Sequence, residues 1–325
     1  MSRETVLSLL LAHPGEYLSG AAMSRTLGVS RAAVWKAIEA LRQEGYEITS
    51  APNRGYRLES APDRVREGEL SGHLAGCLVG SRLLCLDTID STNTEAKRQA
   101  MAGAPEGLVV LAEEQTGGRG RLGRSFQSPR GCGLYLTALL RPQLPPIEVV
   151  DFTAWVAVAV CDGIQAACGV RPRIKWTNDI YAGDKKLVGI LIEHSYSGQT
   201  LARTIVGIGI NVNQTEFDPA LPNPVSMAMV AGRTFDRGEV LEAFRRHIGI
   251  RYAQLELDER ETLQRDYRER MYRLGERHTF RYPDGTPTEA SIEGVRPTGE
   301  LLLRHADGTL REYLFKEIEF VIAGK

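Results

Sequence analysis

The chain has 325 residues, 42% hydrophobic and 25% charged, with a formal net charge of −1. This suits a folded globular protein of two or three domains and excludes a globally basic nucleic-acid binder, so any such role must be local. No apolar stretch approaches the roughly 18 residues of a membrane span. The run Val6–Ala12 follows Glu4 with no basic lead-in, as in a helix rather than a signal peptide. The five cysteines, at 77, 85, 132, 161 and 168, form no CxxC pair, the usage of a reduced, cytoplasmic protein.

In chain order, Thr5–Ala12 reads as a short helix. Ser19 is placed to cap a second over Gly20–Leu27, and Ser30 a third over Arg31–Glu44, where Val34, Ile38 and Leu41 share one face. "YEITSAPNRGYRL" (46–58) gives two short strands about a Pro-Asn-Arg-Gly turn. This is the order of a winged helix-turn-helix domain, residues 1–62, with its helix-turn-helix from Gly20 to Glu39. Residues 1–60 carry seven Lys/Arg against six Asp/Glu, a weak footprint for a DNA-binding monomer. Ser30, Arg31, Ala32, Trp35 and Lys36 at the recognition helix, and Arg54 and Arg57 on the wing, nevertheless lie where such a domain meets DNA. The polar "SAPDRVREGEL" (60–70) is a linker or a connecting helix.

Residues 63–272 alternate strands and helices. "LVVLAEE" (108–114) and "GLYLTALL" (133–140) are strands, and "EVVDFTAWVAVAVCDGIQAA" (148–167) is a long, largely buried helix. "RIKWTNDIYAGDKKLVGILIEHSY" (173–196) is a hairpin turning at Ala182–Lys185. "RTIVGIGINVN" (203–213) is a further strand and "RGEVLEAFRRHIGIRYAQLEL" (237–257) is helical. The pattern is α+β, a mixed sheet with helices on its face. Residues 273–325 alternate in short runs broken by Asp-Gly and Thr-Gly turns, as in a small antiparallel β-barrel.

Between the strands at 108–114 and 133–140 lies "EEQTGGRGRLGRSF" (113–126), with glycines at 117, 118, 120 and 123 and arginines at 119, 121 and 124. Unshielded backbone N–H groups and forked guanidinium donors together suit a phosphate or carboxylate. A solvated charged loop is the alternative. "DSTNTEAK" (90–97) puts Ser91 and Thr92 at a helix start, as ligand donors or as plain caps. Lys186 is expected on one strand face with Val188, Ile190 and Ile192, with its stem buried and its ammonium directed. "GIGINVN" (207–213) ends an apolar strand with Asn211, able to read a purine edge.

"DSTN", "GGRGRLGR", "KWTND" with "KLVGIL", and "GIGINVN", in this order, resemble the biotin–protein ligases. The winged helix in front and the small barrel behind are similar to the bifunctional members, which also repress biotin synthesis genes; the barrel is then SH3-like. The resemblance implies that biotin's carboxylate is joined to the α-phosphate of MgATP as biotinyl-5′-AMP. Biotin then passes to one lysine of a biotin carboxyl carrier protein, with no prosthetic group. Ser91, Thr92, Asn93, Gln115, Arg119, Gly120, Arg121, Lys186 and Gly207 would hold biotin. Arg121, Arg124, Phe126, Lys186 and Asn211 would hold the adenylate, with Gly209 allowing close backbone approach. Lys186, Arg121 and Asp179 would carry the chemistry, and no metal ligand is assigned. Thr177 stands where "KWPND" has proline. The adenylate would promote a homodimer that binds operator DNA. A lipoate or octanoate ligase, a sensor without catalysis, and a ligase with an idle winged helix are the competing readings.

Overall fold

A computed structural model describes residues 3–65, 78–142, 149–198, 200–257 and 259–322. Cys77 and the linker from 66 to 70 lie outside the described residues. The four described cysteines are free thiols. No helix among the described residues is long and apolar enough to cross a membrane. Two compact units are formed, Met1–Ala75 and Gly76–Lys325.

The first unit holds α1 (Arg3–Leu11), α2 (Gly20–Leu27), α3 (Arg31–Gln43) and a hairpin of β1 (Glu47–Ala51) and β2 (Gly55–Ser60). The caps are those expected: Ala22 N donates to Ser19 Oγ at 3.0 Å and Ala33 N to Ser30 Oγ at 3.1 Å. Val34, Ile38 and Leu41 are fully buried and pack against Val6, Leu7, Leu10 and Met23. Three short helices thereby close one core, and the opposite face of α3 is left in solvent.

The second unit is built on a seven-stranded mixed sheet in the order β3-β4-β5-β9-β8-β7-β6. Its strands are β3 (Arg82–Ile89), β4 (Leu108–Gln115), β5 (Gly133–Leu140), β6 (Arg173–Lys175), β7 (Asp179–Ala182), β8 (Lys185–Ser197) and β9 (Thr200–Asn211). Only β3 and β4 are parallel, and α4 (Thr92–Met101) makes the crossover between them. The start of α4 and the end of β4 therefore lie side by side at one sheet edge.

Helix α5 (Val149–Cys168) packs on β6 and β7 and beneath α7 (Arg237–Glu256) and α8 (Arg260–Glu269). Its Phe152, Trp155–Cys161 and Ile164 are buried, which is why this stretch is apolar all round. Asp162 ties the helices together, paired with Arg251 and Arg270 at 2.7 Å each. A short α6 (Met227–Ala231) follows β9.

The C-terminal strands β10 (Arg277–Arg281), β11 (Pro287–Val295), β12 (Leu301–His305), β13 (Leu310–Tyr313) and β14 (Glu319–Phe320) form an antiparallel sheet in the order β13-β12-β11-β10-β14. Phe280, Ala290, Ile292, Leu301 and Leu303 are buried on one face, the alternation expected of a small β domain.

The hairpin expected over 173–196 is a three-stranded meander. "KWTND" itself turns the chain between β6 and β7, and the second turn is at Gly183–Asp184.

Candidate active site

Ser91, Thr92 and Asn93 are buried at the start of α4. Simple capping does not account for them, because Ser91 makes no side-chain cap. The backbone N of Thr92 and its hydroxyl donate to Gln115 Oε1 at 2.9 and 3.0 Å, across the β3–β4 edge. Gln115 Nε2 donates onward to Ser128 Oγ at 2.8 Å. Thr137, fully buried on β5, lies 2.8 Å from Thr92 Oγ1 and 2.7 Å from Asn93 Oδ1. Asn93 Nδ2 donates to Glu193 at 2.9 Å, and Lys97 Nζ donates to the same carboxylate at 2.6 Å. Burial alone would raise the Glu193 pKa, but the bonds from Lys97 and Asn93 outweigh it and hold the carboxyl below the usual range. A network of this kind fixes side chains to a single orientation. A Cβ on Gly207 would collide with the Asn93 side chain, so glycine there lets β9 approach.

The glycine-arginine segment folds back as an irregular hairpin. Phe126 N donates to Gly118 O at 2.9 Å and Gly120 N to Arg124 O at 2.7 Å, with a single 3₁₀ turn at Arg121–Gly123. Arg119 and Arg124 are exposed, and Gly120 is half-buried. The Phe126 ring lies flat on the sheet, in the space that a Cβ on Gly209 or Gly189 would occupy. Its edge meets Tyr135, with ring centroids 6.4 Å apart.

Lys186 is not on the face expected of it. The β7–β8 ladder slips between Ile180 and Tyr181, so that Val188 pairs with Ile180 but Lys186 pairs with Tyr181. The bulge inverts the strand's alternation. Lys186 therefore projects beside Gly189, where its Cε lies 3.7 Å from a Cβ position on that glycine next to the Phe126 ring. Val188 and Ile190 point into the core. Lys186 Nζ donates to Asp179 Oδ1 at 2.7 Å.

Arg121 closes this corner. Its Nη1 donates to Thr177 Oγ1 and, at 3.0 Å, to Asn178 Oδ1, and Asn178 Nδ2 donates to Ile190 O at 2.7 Å. Thr177 thus supplies a hydroxyl that proline would lack. The Arg121 guanidinium stacks over Phe315 at 4.1 Å. Burial pushes its pKa down, and the nearby Asp179 charge opposes this. Lys175, paired with Asp179 on the β6–β7 ladder, sits over the Phe320 and Tyr181 rings, at 4.8 and 5.5 Å.

Asn211 is buried at the end of β9, and its Nδ2 donates to Val225 O at 3.0 Å. Lys186 N donates to Asn223 O and Val225 N to Lys186 O, at 2.7 and 2.9 Å, so the chain after β9 straps Lys186 in place. A cleft of about 680 Å³ opens between the base of the hairpin and the segment Asn213–Glu216. Gln115 and Phe126 are shared between its wall and the site, while Lys186 and Arg121 are not among its lining residues.

Ser128, Thr137, Glu193 and Phe315 were not singled out from the sequence. Glu193 had a readable signal, as a carboxylate closing the apolar run "GILI" within β8. Phe315 had none, because it arrives from the C-terminal sheet.

In the first unit Ser30, Arg31, Ala32, Trp35 and Lys36 are all exposed, at the N-cap and along the first turns of α3. Trp35 is 54% exposed. Arg54 and Arg57 stack on Tyr17 at 4.3 and 4.8 Å, and Arg57 is paired with Glu59.

Residues 85–211 match the model of the Biotin/lipoate A/B protein ligase family, and residues 2–57 match an HTH domain. The bifunctional ligase/repressor BirA of Bacillus subtilis is 39% identical over 243 residues, 74% of this chain and 75% of that protein. The protein of the same name from Escherichia coli K12 is 32% identical over 258 residues, 79% and 78% of the two chains. The structure of the biotin protein ligase from Aquifex aeolicus in complex with biotin and ATP superposes with a TM-score of 0.62 at 27% identity. It covers 74% of this chain and 99% of that one.

Proposed function

The chain belongs to the biotin protein ligases of the Biotin/lipoate A/B protein ligase family, and from that premise we propose that it activates biotin with ATP and transfers it to a carrier lysine. The observation that carries this reading is the corner in which Lys186 and Arg121 flank Asp179, next to the Thr92–Gln115–Asn93 network.

Biotin's ureido ring offers two N–H donors and one carbonyl acceptor. Ser91, Thr92, Asn93 and Gln115 supply complementary groups, and Gly207 leaves the room in which the Asn93 side chain is held. Arg119 and Gly120 of the hairpin close over it. In the first step a carboxylate oxygen attacks the α-phosphorus of ATP and pyrophosphate leaves. Negative charge crowds where carboxylate and phosphate meet, and Lys186 and Arg121 neutralise it there. Arg124 faces the phosphates, Phe126 packs against the adenine, and Asn211 offers its amide oxygen to the adenine edge. Were magnesium to accompany ATP, Asp179 is the carboxylate of this corner that would help to hold it. In the second step the carrier's amine, oriented by Asp179, attacks the carbonyl carbon of the mixed anhydride and releases AMP. The hairpin keeps water from the anhydride until then.

Residues 1–62 act as a winged helix-turn-helix domain, 63–272 as the ligase domain and 273–325 as an SH3-like barrel. The adenylate-bound chain pairs into a homodimer in the cytoplasm and represses biotin synthesis genes. The carrier is the biotin carboxyl carrier protein of acetyl-CoA carboxylase. Incubation with biotin, MgATP and an isolated carrier domain should add one biotinyl group, the mass of biotin less water, to a single carrier lysine. An unmodified carrier would refute the transfer.

A further inference from the structure

Arg121 is gripped from two sides. Thr177 and Asn178, in the turn between β6 and β7, hold its Nη1, while Phe315 of the C-terminal sheet lies under the guanidinium plane at 4.1 Å. Phe315 is itself fixed. It sits in a tight turn in which Leu314 N donates to Glu317 Oε2 at 2.7 Å and Glu317 N to Leu314 O at 3.0 Å. Its ring meets the edge of Trp176 at 6.2 Å, and Trp176 Nε1 donates to Gly299 O at 3.0 Å. Phe315 is 41% exposed, so its contact with the guanidinium is made at the surface of the corner rather than in a core.

A free arginine side chain explores many rotamers, and ordering it during reaction slows the step that needs it. A donor already in place contributes fully when charge develops. We propose that Phe315 is a positioning residue for the adenylation step, holding the Arg121 guanidinium beside the Asp179–Lys186 pair so that both cations face the incoming phosphate. The C-terminal sheet is thereby part of the ligase site without touching substrate. This rests on the reading of Arg121 as an anion-contacting group.

The test compares the full chain with Phe315→Ala, Phe315→Leu, Phe315→Tyr, Arg121→Ala and the double variant Arg121→Ala/Phe315→Ala. Biotin-dependent pyrophosphate release is measured as kcat and KM for ATP, with thermal melting beside it. Leucine keeps the apolar bulk against Trp176 and lacks the π face. Phe315→Ala and Phe315→Leu should lower kcat by about 2- to 30-fold, the span of cation–π contacts. Phe315→Tyr should be close to the parent, and Phe315→Ala should add nothing once Arg121 is gone. Normal turnover by Phe315→Leu beside a slow Arg121→Ala overturns this inference alone. So does an undiminished effect of Phe315→Ala in the Arg121→Ala background. Normal turnover by Arg121→Ala overturns the reading of Arg121 on which it rests.

Discussion

Lys186 Nζ lies 2.7 Å from Asp179 Oδ1, while Lys185, one residue earlier, is exposed at the turn into β8. Two adjacent lysines are thus given different surroundings by one bulge. Lys186→Ala removes a charge-assisted bond worth roughly 1.5–3 kcal/mol and should slow adenylation at least about 10-fold. Lys185→Ala should leave it within about twofold of the parent, as for a surface change. Equal losses from the two would place the reactive ammonium elsewhere.

Arg121→Gly should shorten adenylate residence by about 10- to 150-fold, again from the loss of a charge-assisted bond. The released mixed anhydride would then acylate lysines on bystander proteins. Arg121→Lys should not restore retention, because an ammonium cannot both bond the Thr177–Asn178 pair and stack flat on Phe315. Streptavidin blotting against a bystander such as serum albumin reads this out. Strict selectivity for the carrier in Arg121→Gly would mean that the hairpin does not retain the intermediate.

Glu193 makes the fold sensitive to acid. Its folded pKa lies below the ordinary 4.5, because Lys97 and Asn93 outweigh the opposing effect of burial. A depressed carboxylate stabilises above its unfolded value and loses that contribution as pH falls through the folded one. The parent Tm should therefore fall more steeply than that of Glu193→Gln as pH drops below about 4.5. Because Asn93 is held by Glu193, the variant should also bind biotin more weakly at neutral pH. Parallel Tm curves would remove Glu193 from the account.

Arg31→Ala and Trp35→Ala should weaken operator binding without slowing ligation, since both side chains are exposed on α3, in the unit that holds none of the proposed ligase residues. A lost phosphate contact should also reduce the salt slope by about 1. In a mobility-shift titration, binding should be cooperative in protein and tighter with biotin plus ATP. Adenylate-independent binding, or none, would leave the winged helix without the proposed role.

Motifs whose chemistry is local were legible before the fold. The caps Ser19 and Ser30 declare their helices, while the anion-binding reading of the glycines and arginines of 117–124 rests on residue type and stays part of the proposal. What was not legible depends on register or on distance along the chain. The face taken by Lys186 is decided by a one-residue slip opposite Tyr181, which periodicity cannot detect. Helix α8 was missed because only Leu263 and Tyr267 are buried, one i, i+4 pair in an otherwise polar run. The contact of Phe315 with Arg121 joins the glycine-arginine hairpin to a turn of the C-terminal domain through side chains that carry no signal of each other.

The central claim is that the corner formed by Lys186, Asp179 and Arg121 activates biotin. It is tested most directly by pyrophosphate release from MgATP with biotin, lipoate or octanoate offered separately to the parent chain and to Lys186→Ala. Release is expected with biotin alone, and its loss in Lys186→Ala under conditions where the variant remains folded. Release with lipoate or octanoate but not biotin, or undiminished release by Lys186→Ala, would contradict it.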